Sequence, residues 1–169
     1  SGDDTVITRV SLGDVTEAIR THFREEPPNG WLLGWDERRC FVLVSAAAAP
    51  HPVTNHTSFD YGFCNWFEVR VDSETGEHYW TLTIKLSFIA PTYSFHWTQY
   101  EGPTQGSVIR AAPPGCEMVE DRVRSAVENA GFVEIPDEWC EQELKDVQLE
   151  LSGTQNVTLG KCLFTDYAE

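Results

Sequence analysis

His51, His56 and Asp60 fall in one polar stretch, Pro50 to Asp60, and Cys64 follows it closely. Imidazole nitrogens and a carboxylate can hold a hard or borderline cation, with His78 or His96 completing the set. A cysteine becomes a nucleophile when a base or a helix start stabilises its thiolate. Cys64 could meet His78 or His96 across neighbouring strands. These residues give one enzymatic reading, a small hydrolase or transferase whose site uses His51, His56 or Cys64 near the 50–60 loop. The plainer reading is ordinary loop histidines and inert buried thiols. On that reading no catalytic residue, metal ligand or cofactor is assigned. Cys140 is disfavoured further, because Glu138, Glu141 and Glu143 around it raise a thiol pKa.

Carboxylate pairs such as Asp36 with Glu37, or Glu141 with Glu143, have the composition of an acid–base site. The chain has 27 acidic against 12 basic residues, so such pairs arise throughout and read first as solvated surface. No GxGxxG, GxxxxGK[ST] or GxSxG occurs, which removes several common enzyme classes.

The formal charge is −15. Such a surface repels nucleic acid, which needs clustered Lys and Arg, and repels anionic membranes. It attracts a basic protein partner and speeds encounter with it. No apolar run of about 18 residues is present to span a membrane, and the start Ser1-Gly2-Asp3-Asp4 does not read as a signal peptide. Five scattered cysteines without a CxxC pair point to free thiols in a reducing cytoplasm.

The elements that must position these groups centre on residues 61–100. From Glu77 to Phe88 the chain alternates: His78, Trp80, Leu82, Ile84, Leu86 and Phe88 face one way, and Tyr79, Thr81, Thr83, Lys85 and Ser87 the other. That is a strand with one buried face. Phe63 to Val71 and Thr92 to Tyr100 read the same way, with Ser73-Glu74-Thr75-Gly76 as a hairpin loop. A three-strand antiparallel meander follows. Trp66, Tyr79, Tyr93, Trp97 and Tyr100 lie on or near it, and an uncovered face would be an aromatic platform for a protein or a sugar.

Ser11 with Asp14 caps a helix carrying Val15, Ile19 and Phe23. Thr5 to Val10 reads as a short edge strand. Trp31–Trp35 and Cys40–Ser45 read as a hairpin around Asp36 to Arg39. Val119, Val123 and Val127 give a second helix ended by Gly131. Pro136 starts a short helix ending near Leu144. Val147 to Leu151 and Val157 to Phe164 read as two final strands. Nothing divides residues 1–169, so a single α+β domain is expected: a mostly antiparallel sheet with a central meander, two main helices and one short helix packed on it.

The runs Trp80 to Phe88, Ile89-Ala90-Pro91-Thr92-Tyr93, Asn129-Ala130-Gly131-Phe132, Ile135-Pro136, Val157-Thr158-Leu159 and Cys162-Leu163-Phe164 give the second half of the chain a resemblance. It resembles bacterial immunity-type proteins encoded beside polymorphic toxins. The resemblance implies a compact α+β protein that binds and blocks a toxin, and it carries over no catalytic residue. The expectation is an acidic binding protein of the immunity or inhibitor kind rather than an enzyme. Its partner-binding residues are expected to be Asp36, Glu37, Asp60, Trp66, Tyr93, Trp97 and Tyr100. A carbohydrate-binding module on the aromatic face is the further alternative.

Overall fold

A computed structural model describes residues 10–101 and 106–167. The expected edge strand at Thr5 to Val10 falls almost wholly outside them. Helix α1 (Leu12–His22) begins at Ser11, whose side chain accepts from the Asp14 amide while Asp14 accepts from the Ser11 amide. This reciprocal cap satisfies two donors that a helix start leaves open. Val15 and Ile19 are its buried stripe.

Two short helices replace the expected first hairpin. α2 (Gly30–Leu33) is one turn, capped by the Asn29 side chain on the amides of Trp31 and Leu32 and closed by Gly34 at φ 73°. α3 (Phe41–Ala48) occupies the run read as a strand. Phe-Val-Leu-Val favours a strand locally, but Val44 and Ala48, four apart, are both fully buried, which is a helix face. Packing outweighs propensity here.

The sheet then forms from β1 (Val53–Asn55), β2 (Cys64–Asp72), β3 (Tyr79–Ser87), β4 (Thr92–Tyr100) and β5 (Gly106–Ile109), in that spatial order. Every pair along it is antiparallel, and Gly76 at φ 74° turns the β2–β3 hairpin. The meander is as its alternation predicts. Helix α4 (Glu117–Asn129) follows, then β6 (Val133–Glu134), which pairs parallel with β4. α5 (Asp137–Cys140) and α6 (Leu159–Leu163) complete the described elements, giving an α+β fold with a mostly antiparallel sheet.

The C-terminal expectations need correction. Val147 and Leu149 are buried, but they make no ladder: Leu149 meets only Gly153 in an isolated bridge. The run expected as a last strand holds α6, because Thr158 caps it by accepting from the Lys161 amide. The short helix after Pro136 ends at Cys140 rather than near Leu144.

Two apolar clusters hold the fold. On one face of the sheet, Phe67, Val69, Leu82, Ile84, Tyr93 and Trp97 pack against Val44 of α3 and Val119, Val123 and Val127 of α4. At the other end, Val15, Ile19 and Phe23 of α1 meet Phe63, Leu149, Leu159 and Leu163. β3 is covered on both faces, since Thr81, Thr83, Lys85 and Ser87 are also buried. The expectation of one solvated face therefore fails for this strand, which lies at the centre of the sheet. Its second face meets the C-terminal segment near Lys85, where Tyr167 stacks with Trp66 at 6.2 Å.

Candidate functional site

The described residues place an apolar projection beside exposed carboxylates. α2 leaves Trp31 47%, Leu32 85% and Leu33 60% exposed. Three successive apolar side chains in water carry a cost unless something covers them. The turn is nonetheless rigidly seated. A Cβ at Gly30 would lie 2.5 Å from both the Phe59 and Trp35 rings, so only glycine lets α2 approach this closely. Trp31 meets Phe59 edge-on at 4.8 Å, and Trp35 stacks on Phe88 at 4.7 Å with ring planes 2° apart.

Asp60 joins this cluster directly. Its Oδ1 accepts from the indole Nε1 of Trp31 at 3.0 Å. Tyr61 follows at φ 61°, 42% exposed, a left-handed conformation that is costly for a bulky residue. Between the Pro27-Pro28-Asn29 stretch and Tyr61 lies a hollow of about 390 Å³. Phe59 and Phe63 line it, together with Asp60, Glu150 and Asp166, and among the described residues no basic one does. Asp166 is buried and satisfied, accepting from the amides of Leu151 and Ser152 and from the Ser152 hydroxyl. A second hollow of about 410 Å³ lies across the prolines, bordered by Glu25, Glu26, Arg24 and Leu33.

Asp36 and Glu37 are exposed in the turn after Trp35. Arg39 fixes that turn: its guanidinium donates to Asn65 Oδ1 at 2.8 Å and to the carbonyls of Leu86 and Ser87 at 2.9 and 3.0 Å. It also covers the Phe88 ring at 3.6 Å. Asn65 in turn donates to the Asp36 carbonyl. Through Trp35 and Phe59, Asp36 and Asp60 are thus anchored to one aromatic cluster.

The aromatic candidates divide. Tyr93 and Trp97 are core residues, fully buried or nearly so, and cannot present rings to a partner. Register explains this: Tyr93 pairs with Leu86 and Trp97 with Leu82, so both face the helices. The Tyr93 hydroxyl donates to Glu128 at 2.7 Å; burial, then this bond, raises its pKa. Trp66 is half-buried, with the Lys85 ammonium 4.4 Å from its ring centroid. Tyr100 is half-buried and stacks on Tyr79 at 4.8 Å at the far end of the meander. Trp66, Tyr79, Tyr93, Trp97 and Tyr100 thus do not form one continuous ring platform, because Tyr93 and Trp97 are buried against the helices.

The enzymatic candidates do not assemble either. Burial pushes the Cys64 thiol up to about 12, which leaves it protonated at neutral pH. His56 pairs with Glu68 at 3.1 Å, and His78 lies edge-on to Trp80. Among the described residues no three His, Cys, Asp or Glu side chains gather as a metal site.

A larger cleft, about 920 Å³, opens at the outer edge of β4 between the stretches paired with β5 and β6. Lys85, His96, Asp137, Cys140 and Tyr167 are among its walls. Burial lowers Lys85 to about 8. Burial, then Lys85, lowers His96 to about 4, so its imidazole is neutral. Cys140 is raised to about 11 by burial, then Asp137. Burial thus opposes the charged forms of both Lys85 and the Cys140 thiol. The signal for Lys85 with His96 was a lone lysine among Thr81, Thr83 and Ser87, with His96 diagonal to it in register.

No protein-family model, curated protein or solved structure matches the chain. Among the described residues no helix is long and apolar enough to cross a membrane.

Proposed function

We propose that this chain is an acidic binding protein of the immunity or inhibitor kind, which covers a basic site on a protein partner such as a toxin domain. The observation that carries the reading is the exposed, rigidly seated turn Trp31-Leu32-Leu33 bordered by Asp60. An apolar centre with a charged rim is the usual anatomy of a protein interface. A charge of −15 supplies the steering toward a basic partner. The raised thiol of Cys64 and the scattered histidines favour binding over nucleophilic chemistry.

The test is to read the genes flanking this one and to co-express the chain with any toxin domain found among them. A stable complex that protects the host supports the reading. Free, active toxin in the presence of folded chain contradicts it.

A further inference from the structure

We propose that the partner engages the hollow between Pro28 and Tyr61 with an arginine side chain, while an adjacent apolar side chain rests on Leu32 and Leu33. This rests on the binding reading above and specifies the partner's chemistry at that face.

Charge complementarity selects the occupant. Asp60, Glu150 and Asp166 border a hollow that no basic residue lines among the described residues. One oxygen of Asp60 is engaged by Trp31, and Glu150 is exposed. A planar guanidinium suits such a place, because it forks onto carboxylates and lies flat on aromatic faces. Phe59, Tyr61 and Phe63 supply aromatic walls and the two prolines a stiff rim. Asp166 is already satisfied, so the exposed Glu150 carboxylate and the second oxygen of Asp60 are the acceptors that an acidic or neutral segment would leave without a cation. Leu32 and Leu33, exposed on the second hollow across Pro27-Pro28-Asn29, call for a second, apolar contact from the same partner segment.

The probe is a capped peptide alternating leucine and arginine, titrated into the full chain labelled with nitrogen-15. The control peptide carries glutamine for arginine. The arginine peptide is expected to shift the Trp31 indole N–H and the Leu33 and Tyr61 amides. It should bind about tenfold more tightly than the control. Asp60→Asn with Glu150→Gln should remove that preference, and Leu32→Ser with Leu33→Ser should weaken both peptides. These positions are exposed, and unchanged amide spectra verify folding. Equal affinity of the two peptides, no binding, or shifts centred on Tyr79 and Tyr100 overturns the proposal. A toxin complex insensitive to all four substitutions overturns this face alone. Peptide binding without any toxin complex overturns the inhibitor reading alone.

Discussion

The indole Nε1 of Trp31 donates to Asp60 Oδ1 at 3.0 Å, linking an exposed ring on a helical turn to an exposed carboxylate in the loop before β2. The bond holds an apolar and an acidic group in one geometry before any partner arrives. Preorganisation of this kind lowers the ordering cost of association. Asp60→Ala should leave the fold intact, since both groups are at the surface. It should weaken partner binding by about tenfold. Calorimetric titration checks this, and unchanged affinity counts against the role of the pair.

Gly30→Ala attacks the seat of the same turn. The added methyl would meet Phe59 and Trp35 at 2.5 Å, and both rings are packed in place. The expected loss is about 1–3 kcal/mol, the usual cost of overpacking. Urea denaturation measures it. Wild-type stability would show that the aromatic cluster is loosely held.

The meander and the two long helices were legible because periodicity and end signals agree there. Trp80 to Leu86 alternates, Gly76 turns, and Ser11 with Asp14 closes a cap. Phe41–Ala48 and Leu159–Leu163 were not, because short apolar runs fit a strand or a buried helix equally. Thr158, a side-chain cap, was the available signal for Leu159–Leu163, whereas Phe41–Ala48 has no side-chain cap to announce it. For the site, the acids Asp36, Glu37 and Asp60 could be picked by charge. Trp31, Leu32 and Leu33 could not, because an apolar run reads as buried until tertiary structure leaves it outside. Tyr93 and Trp97 failed for the converse reason: alternation sorts faces without saying which face is covered.

Lys85 gives a pH-dependent prediction. Its folded value of about 8 lies below the ordinary 10.5, through burial. Between those values the unfolded chain binds the extra proton, so this residue's contribution to stability rises with pH across the window. Below pH 8 the folded protein holds this side chain as a buried ammonium, so its desolvation opposes folding most there. Lys85→Met should therefore compare best with wild type at pH 7 and below, by roughly 1–3 kcal/mol relative to its standing at pH 10.5. The gain should shrink as pH rises from 8 to 10.5. Denaturation of both proteins at several pH values decides it, and a constant difference would show that Lys85 is not desolvated.

Thiol reactivity tests the exclusion of cysteine chemistry. Burial raises Cys64 and Cys162 to about 12, with Asp166 adding to the Cys162 shift. Iodoacetamide at neutral pH should leave both unmodified in the native protein and label them only after denaturation. Rapid native labelling of Cys64, read by peptide mass mapping, would restore the nucleophile reading.

The central claim is that an acidic face around Trp31, Leu33 and Asp60 captures a basic partner. Stopped-flow association with the proposed basic partner, followed from low to high salt, addresses it most directly. The account predicts fast association that slows steeply with salt, with a flatter dependence in the Asp60→Asn, Glu150→Gln protein. Association rates equal at low and high salt in the wild-type chain would contradict it.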